Sequence, residues 1–500
     1  MRELEILMNP NKLVQHLKKP ASEFTRYDII NYIEDKNIET MNFRYVGEDG
    51  KLKELNFVIT GKNYLESVFA TGERVDGSSL FSNIEAGSSD LYVIPRFNTA
   101  FENPFTEKPT LEIMCSFYTR DGEPLQSAPE YILRKAYKHF RTTGYDFKAM
   151  GELEYYVISE KTGNYPSINQ KGYHESSPFT KWGGLRIEAM RLIAACGGKI
   201  KYGHSEVGNF ETDTHYYEQH EIEFMPVHPE QAVEQLIIGK WILRNLSVKY
   251  GVKVSFAPKI TEGKAGSGLH IHMQVEKEGE NLIADKKGLT DIAKKTIAGL
   301  LKRAGSLTAF GNTIPTSYLR LVPDQEAPTM ICWGSGNRSV LVRVPLGWLK
   351  ETNMIKDANP QELSEIPYIN GKQTVEIRVP DGSADLYMLM AGIVCSVRDG
   401  LTADDSLKTA EDLYVDVNIF DKKNNDILKK LKALPSSCCQ SADYLENDRE
   451  FYENAGVFPP STISNIISKL KSYNDSELNK SIKEKKIDVS EIVEKYLHCR

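Results

Sequence analysis

The chain has 500 residues, of which 40% are hydrophobic and 26% are charged, and its formal net charge is −7. This length supports a large core and more than one domain. The negative charge argues against a nucleic acid or an acidic membrane as a partner bound by bulk attraction. No apolar run reaches membrane-spanning length and the first residues lack a secretory pattern, so neither a membrane segment nor export is expected.

The seven cysteines are scattered along the chain and include no Cys-x-x-Cys pair. An odd number of cysteines at low density in a long chain is typical of reduced thiols. We therefore expect a cytoplasmic protein without a zinc site built from thiolates.

The first part of the chain, residues 27–128, has the pattern of a β-rich domain. Short apolar runs at 91–95 and 111–115 predict strands, and Gly47, Asp49 and Gly50 predict a hairpin turn between two more. Pro129 then stands where a helix would begin, which favours a domain boundary there.

Beyond residue 129, predicted strands and helices alternate. The helices include residues 184–195, 229–250 and 291–304. Pro229 and Gly251 stand at the two ends of the second, where proline and glycine are favoured. Residues 476–500 are rich in Lys and Glu and lightly apolar, which predicts an exposed helix or a partly disordered tail.

Five strand-like segments carry charged side chains on one face, where most strands carry core residues. Side chains at i and i+2 point to the same face of a strand, so each segment has one apolar face and one face of Glu, His or Arg. The segments are 151–157, 221–224, 269–273, 341–344 and 375–379. Burying such a face is too costly unless its charges are paired or bind ions. We therefore expect a sheet-based pocket that holds divalent metal and a phosphorylated ligand.

The residue types indicate which ligand each part of this pocket takes. Carboxylates with a His fit Mg²⁺ or Mn²⁺ better than structural zinc. Arginines beside the Gly-rich loop at 334–337 are typical of clamps for phosphate and carboxylate groups. These arginines are Arg320, Arg338, Arg343 and Arg378. Any one residue alone is more often structural. A Walker-type Gly-x-x-x-x-Gly-Lys motif is missing from the sequence, so we expect arginines and metal to hold a nucleotide.

Nine segments between about Tyr27 and Gly400 resemble the motifs of the glutamine synthetase family, in the same order. One such motif is weak, whereas nine in order are highly specific. They are Asp-Gly-Ser-Ser at 76–79, Gly-Glu-Leu-Glu at 151–154, His-Ser-Glu-Val at 204–207, Gln-His-Glu-Ile at 219–222, Gly-Ser-Gly-Leu-His-Ile-His at 266–272, Arg-Leu-Val-Pro at 320–323, Glu-Ala-Pro at 326–328, Asn-Arg-Ser at 337–339 with Arg-Val-Pro at 343–345, and Glu-Ile-Arg at 376–378 with Pro-Asp at 380–381.

The resemblance implies an α+β fold. It comprises an N-terminal β-grasp-like domain at 27–128 and a catalytic domain at 129–475, whose curved antiparallel sheet is surrounded by helices. A charged C-terminal tail at 476–500 follows. The implied reaction is the ATP-dependent ligation of ammonia to the γ-carboxylate of L-glutamate through γ-glutamyl phosphate. ATP would be a substrate, with two or more Mg²⁺ or Mn²⁺ ions per site. The implied assembly is a homo-oligomer of stacked rings, a dodecamer.

The resemblance also implies which residues hold the metals and ATP. One ion would be held by Glu154, Glu206 and Glu221. A second would be held by Glu152, His270 and Glu376. ATP phosphates would meet His272, Arg338 and Arg343, and Arg338 would also act in catalysis.

Further residues are implied to bind the other substrates. Glutamate would be gripped by Arg320 and Arg378 beside Gly266, and Tyr173 would border the ammonium pocket. Glu326 would lie on a flap that shields the acyl phosphate from water. Asp76, offered by a neighbouring subunit, would deprotonate ammonium, because ammonium has no lone pair with which to attack.

Some positions depart from the family pattern. Ala265 stands where the family has Asn before Gly-Ser-Gly, Gln274 where it has Ser, and Thr374 where it has a basic residue. The first departure leaves open the identity or affinity of the amino-acid substrate. Tyr414 lies outside a Leu-Tyr-Asp-Leu motif, so adenylylation is not expected there. Two alternatives remain: a γ-glutamyl ligase for another amine, and a non-catalytic relative, which the presence of all six metal positions disfavours.

Overall fold

Two large sheets organise the computed structural model, which describes residues 2–85, 87, 89–163, 165–322, 327–347, 354–365, 371–484 and 487–499. The α+β class expected from the sequence is confirmed. Each sheet has its own core of apolar side chains.

The N-terminal region is built on a six-stranded sheet. Its helices are α1 (Arg2–Met8), α2 (Lys12–Leu17), α3 (Arg26–Lys36) and α4 (Lys62–Thr71). Its strands are β1 (Thr40–Val46), β2 (Leu52–Val58), β3 (Glu73–Asp76), β4 (Asp90–Pro95), β5 (Phe101–Glu102) and β6 (Thr110–Thr119). The strand order is β2-β1-β6-β4-β3, with β5 beside β6. The predicted hairpin is confirmed, because β1 and β2 pair antiparallel with Val46 opposite Leu52.

The remainder of the chain surrounds a larger sheet. The strands of this larger sheet are β7 (Asp146–Glu160), β8 (Ile200–Ser205), β9 (Phe210–Glu211), β10 (His215–Phe224), β11 (Lys253–Ser255), β12 (Leu269–Lys277), β13 (Glu280–Asn281), β16 (Trp333–Ser335), β17 (Val342–Val344) and β18 (Val375–Ile377). Strands β14 (Ala284–Asp285) and β15 (Gly288–Leu289) form a separate two-stranded sheet. The helices of this part of the chain are α5 (Pro129–Arg141), α6 (Gly183–Ala195), α7 (Pro229–Tyr250), α8 (Asp291–Lys302), α9 (Ala304–Gly311), α10 (Ser317–Arg320), α11 (Met354–Ala358), α12 (Leu386–Thr402), α13 (Ser406–Asp412), α14 (Asn425–Leu428), α15 (Cys438–Asn447), α16 (Arg449–Glu453), α17 (Pro460–Ser472), α18 (Leu478–Lys483) and α19 (Val489–Tyr496).

The five segments predicted to carry a charged face are neighbours in this sheet. The strand order is β16-β17-β18-β12-β7-β10-β8, and the five segments lie in the run from β17 to β10. Pairs within that run are antiparallel, whereas β16 and β17 are parallel. The prediction of five strands is confirmed, although β17 and β18 are shorter than expected. Their charged faces therefore form one continuous surface.

Helices cover the other face of the sheet and bury its apolar side chains. Helix α7 has the predicted bounds, with Pro229 in its first turn and Gly251 in the left-handed conformation just past its end, at φ 65°. It lies so close to β7 that a side chain added at Gly151 would meet Leu236 at 2.9 Å. The helix expected at 291–304 instead ends at Lys302, and a new helix begins at Ala304 after the non-helical Arg303.

Within the described ranges, no single helix has both the length and the apolar composition needed to cross a membrane. One pair, Leu386–Thr402 with Ser406–Asp412, meets those two criteria together and is bent by 106°.

Candidate active site

Strand pairing places the charged side chains in three rows across the sheet. In the first row, Arg343 lies opposite Glu376, which lies opposite His272. In the second, His270 is paired with Glu152, and Glu152 with Glu223. In the third, Glu154 is paired with Glu221, and Glu221 with His204. Because the rows share one face, they form the wall of a single cavity of about 670 Å³.

The centre of this wall is a group of two carboxylates and an imidazole that could hold a metal ion. Its members are Glu152, His270 and Glu376, the set predicted for one ion, and their ligand atoms lie within 4.8 Å of one another. Nδ1 of His270 is 2.8 Å from a Glu152 oxygen and 3.5 Å from a Glu376 oxygen.

A second group shares Glu152. It joins Glu152 to His272 and Glu223, again within 4.8 Å. Nε2 of His272 lies 2.8 Å from Glu152, and its Nδ1 lies 2.8 Å from the Thr374 hydroxyl. Thr374, one of the departures from the family pattern, therefore orients the imidazole that was expected near the ATP phosphates.

The third group differs in part from the prediction. The structure brings together Glu206, Glu221 and His204, with 3.3 Å between His204 Nε2 and a Glu221 oxygen. Glu154 was expected in this set, but its carboxylate instead accepts hydrogen bonds from the Gly268 N–H at 2.8 Å and the Gln219 amide at 3.0 Å.

The carboxylates perturb one another because they share a buried surface. Burial, followed by repulsion from Glu152 and the other carboxylates nearby, raises the pKa of Glu221 well above its ordinary value. Burial also raises the pKa of Glu152, but the imidazoles of His272 and His270 outweigh it and hold that pKa well below its usual range. Adding a cation at the third row would relieve the repulsion around Glu221.

The predicted arginines line the cavity, and two of them are paired with a carboxylate of the sheet. Arg378 donates to Glu376 at 3.1 Å, and Arg343 donates to the same carboxylate at 3.0 Å. Arg320 is almost fully buried and donates to backbone oxygens of 378–380. Arg338 lines the cavity through its side chain.

The loop at 263–268, which we call the glycine loop, borders the cavity next to β12. A side chain added at Gly266 would meet the Pro258 oxygen at 2.4 Å, so only glycine fits there. Ala265 lines the cavity, and its backbone is held by the Gln170 side-chain oxygen at 2.7 Å and the Tyr156 hydroxyl at 2.9 Å. Tyr173 also lines the cavity, half exposed, with its ring 5.4 Å from that of His204.

Two further residues were predicted to act in the site. Asp76 lies in the N-terminal region, is exposed, and does not line the cavity of its own chain. Its carboxylate accepts hydrogen bonds from the Ser78 and Ser79 hydroxyls at 2.8 and 2.7 Å, which lower its pKa. Glu326 lies outside the described residues.

Residues to which the sequence analysis assigned no individual role complete the site. Glu223 alternates with Glu221 and so had to share its face, which was a usable signal. His204 and Gln219 stand in two of the family motifs, but their approach to Glu221 and Glu154 could not be predicted, because it depends on the pairing of β8 with β10 and on the position of the glycine loop.

Comparison with known proteins places this arrangement in a family. The model for the glutamine synthetase catalytic domain matches residues 126–490, and that for the glutamine synthetase β-grasp domain matches residues 37–120. Glutamine synthetase of Microchaete diplosiphon is 29% identical over 476 residues, covering 89% of this chain and 94% of that protein. A 3-hydroxylaminophenol mutase of Cupriavidus pinatubonensis is 27% identical over 476 residues, covering 88% and 93%.

Solved structures support the same fold. Glutamine synthetase of Plasmodium falciparum superimposes with a TM-score of 0.72 at 19% identity, covering 91% of this chain and 97% of that one. The apo form of GmaS gives a TM-score of 0.70 at 17% identity, covering 89% and 96%. With both domain models matched in order over most of its length, the chain belongs to the glutamine synthetase family.

Proposed function

We propose that this protein is an ATP-dependent ligase that joins ammonia to the γ-carboxylate of L-glutamate through γ-glutamyl phosphate. The observation that carries the proposal is the set of three carboxylate–imidazole groups on one sheet face, two of which share Glu152, bordered by arginines. Relatives named glutamine synthetase over nine tenths of their length support it. On the cysteine pattern we also propose a cytoplasmic location.

The donor set fits divalent ions of the Mg²⁺ or Mn²⁺ type. Each group offers two carboxylates and one imidazole, without a thiolate. We propose that Glu152, His270 and Glu376 hold one ion and that Glu206 and Glu221 hold another, with Glu154 or His204 beside them. When bound, such ions offset the negative charge of the transferring phosphoryl group.

The remaining side chains position the substrates. Arg338 and Arg343 are proposed to face the ATP phosphates, with His272 near them. Arg378 and Arg320 are proposed to face glutamate, and the backbone contacts of Arg320 fix the segment 378–380 against the glycine loop. The glutamate γ-carboxylate then attacks the terminal phosphorus of ATP, ADP leaves, and ammonia displaces phosphate from the acyl carbon.

Ammonium must lose a proton before this last step, and we propose Asp76 of a neighbouring subunit for that role. Hydrogen bonds from Ser78 and Ser79 keep the carboxylate ionised. Because Asp76 does not line the cavity of its own chain, this role requires a homo-oligomer, which we propose is a dodecamer of stacked rings. A fully active monomer at high dilution would contradict this.

The proposal is tested by measuring phosphate release and amide formation with ATP, glutamate and Mg²⁺. Ammonium, hydroxylamine, methylamine and ethylamine are compared as acceptors. We expect ammonium to give the highest kcat/KM of the three amines that are cationic at pH 7. Absence of glutamate-dependent ATP hydrolysis with every acceptor would overturn the proposal.

A ligase for a larger amine is the second candidate. It is favoured by Ala265, whose methyl group leaves more room than the Asn of the family pattern, and by the half-exposed Tyr173, which also lines the cavity. A preference for methylamine or ethylamine over ammonium in the same assay would select it.

The variant Asp76→Asn separates the two candidates. If Asp76 deprotonates ammonium, amide formation at pH 7 should fall by about 10²-fold while acyl-phosphate formation is retained. Hydroxylamine is largely neutral at that pH and should partly rescue the variant. Equal loss with both acceptors at every pH would assign Asp76 a structural role in its loop.

A further inference from the structure

The segment 487–499, which we call the C-terminal clasp, contacts the part of the large sheet that lies beneath the glycine loop. It consists of Ile487, Asp488, α19 and the three residues after that helix. The Ser255 hydroxyl donates to the Leu497 backbone oxygen at 2.6 Å, and Arg244 donates to the Cys499 backbone oxygen at 2.5 Å. The family model ends at residue 490, so these contacts lie beyond the matched region.

Leu497 packs against a small apolar core that is separate from the main one. The small core consists of Tyr156, Ile158, Phe210, Ala257 and Ile260, all buried. Only a few residues form this core, so the contribution of Leu497 is a large share of its packing.

The small core contacts the glycine loop through the Tyr156 hydroxyl and through the Phe210 ring, over which the Lys264 ammonium lies at 5.7 Å. The Tyr156 ring is fully buried in the small core, and its hydroxyl donates to the Ala265 backbone oxygen at 2.9 Å. The loop has further ties: the Ser267 N–H donates to the Pro258 oxygen at 3.1 Å, and the Gln219 amide donates to Gly266 at 3.0 Å. Three of its six residues are glycines, which have no side chain to pack, so its position depends on its neighbours.

The same contacts reach the carboxylates. The Gln219 amide that holds Gly266 also donates to Glu154 at 3.0 Å, and the Gly268 N–H donates to Glu154 at 2.8 Å. A shift of the loop would therefore move both the cavity wall at Ala265 and the third row of the sheet.

We propose that the C-terminal clasp is a positioning element for the amino-acid substrate, acting through Leu497, Tyr156 and the glycine loop. The identity of that substrate as glutamate rests on the proposed function. The clasp sets the loop in its binding position and does not touch the reacting atoms. Its removal should therefore raise KM for the amino acid more than it lowers kcat.

The test uses the full-length variant Leu497→Ser and, as a matched control, Ile487→Ser, which changes an exposed apolar residue of the same segment. Amide hydrogen exchange of residues 257–268 is measured first, because it does not depend on any activity. We expect exchange there to accelerate about tenfold in Leu497→Ser and to stay at the wild-type rate in the control. KM for glutamate should rise about fivefold, with kcat and KM for ATP changed less than about twofold.

A second variant keeps the test decisive if Leu497→Ser does not fold. Tyr156→Phe preserves the packing of the small core and removes only the hydrogen bond to Ala265, so the same exchange pattern is expected at smaller amplitude. Unchanged exchange at 257–268 in a folded Leu497→Ser or Tyr156→Phe protein would overturn the proposal. Absence of glutamate turnover by the wild-type protein would instead count against the proposed function. The hydrogen-exchange measurement would still test whether the clasp positions the glycine loop.

Discussion

The two large sheets both bury carboxylates, but Glu112 of the first sheet and Glu154 and Glu221 of the second are satisfied in different ways. In the N-terminal sheet, Glu112 is fully buried and accepts hydrogen bonds from Asn42 at 2.7 Å, Asn103 at 2.6 Å and Arg44 at 2.5 Å. In the larger sheet, Glu154 is held by neutral amide donors, and Glu221 faces His204, whose pKa is lowered by burial.

This difference separates a structural carboxylate from a functional one. Removing a cation from a satisfied pair leaves a buried charge and destabilises the fold. Removing a carboxylate from a group of carboxylates that repel one another should raise the free energy of unfolding of the metal-free protein and lower the activity of the site. A substitution that lowers the free energy of unfolding and spares activity therefore identifies a structural carboxylate. A substitution that raises the free energy of unfolding and abolishes activity identifies a functional one.

The largest expected effect is on turnover in Glu221→Gln. Because Glu221 belongs to the third group, we expect kcat/KM to fall by about 10³-fold, or about 4 kcal/mol of transition-state stabilisation. Without metal, the free energy of unfolding should rise by about 1 kcal/mol, since repulsion among the carboxylates is reduced. Steady-state kinetics and urea unfolding measure the two effects. Glu160→Gln, at the exposed end of β7, is the control, and a destabilised metal-free Glu221→Gln protein would break the comparison.

The opposite behaviour is expected of Arg44→Met in the N-terminal sheet. It leaves Glu112 buried without its cation, so the free energy of unfolding should fall by about 4 kcal/mol. KM for ATP of the folded fraction should stay at the wild-type value. Arg74→Met, which removes an exposed pair with Asp90 at 3.4 Å, should cost less than about 0.5 kcal/mol. Equal losses of unfolding free energy in Arg44→Met and Arg74→Met would contradict the prediction that the buried pair of Arg44 with Glu112 stabilises the fold more than the exposed pair does.

Glu130 is a third kind of buried carboxylate. It lies outside the candidate site, and its hydrogen bonds do not fully offset the cost of its burial. Burial raises its pKa to about 7, although its carboxylate accepts the Phe117 N–H at 3.0 Å. A raised pKa means that the folded state binds the extra proton, so stability should fall as pH rises from about 4.5 to 7, by at most about 3 kcal/mol. Glu130→Gln should remove this fall and be more stable than wild type at pH 8. Urea unfolding at pH 5 and pH 8 measures this change in stability, and Glu123→Gln, at an exposed position, is the control. The same change of unfolding free energy between the two pH values in wild type and Glu130→Gln would contradict the prediction.

Much of this site could be predicted from the sequence because strand alternation is a local property. Glu152 and Glu154, or His270 and His272, must share a face whatever the strand pairs with. Helix α7 was equally predictable, since Pro229 and Gly251 mark its ends in the sequence.

What could not be predicted depends on pairing between distant segments. The approach of His204 to Glu206 and Glu221 follows from the register of β8 against β10, over which the sequence has no local control. The break between α8 and α9 falls at Arg303, which is neither Gly nor Pro, and the nearby Gly305 lies inside α9 instead of ending a helix. The contact of Leu497 with the small core was also unpredictable. The apolar residues at 489, 492, 493, 496 and 497 have helical spacing, but this spacing does not show which surface the helix meets.

The central claim is that the carboxylates of the larger sheet are completed by divalent ions, and Mg²⁺-dependent stability tests it most directly. The free energy of unfolding of metal-free protein is measured with and without Mg²⁺ for wild type, Glu152→Ala and Arg44→Met. At a concentration 100 times Kd, Mg²⁺ should add about 2.7 kcal/mol to the wild type. The increment should be retained in Arg44→Met and largely lost in Glu152→Ala, which removes a ligand shared by two groups. No increment in the wild type, or an equal one in Glu152→Ala, would contradict the claim.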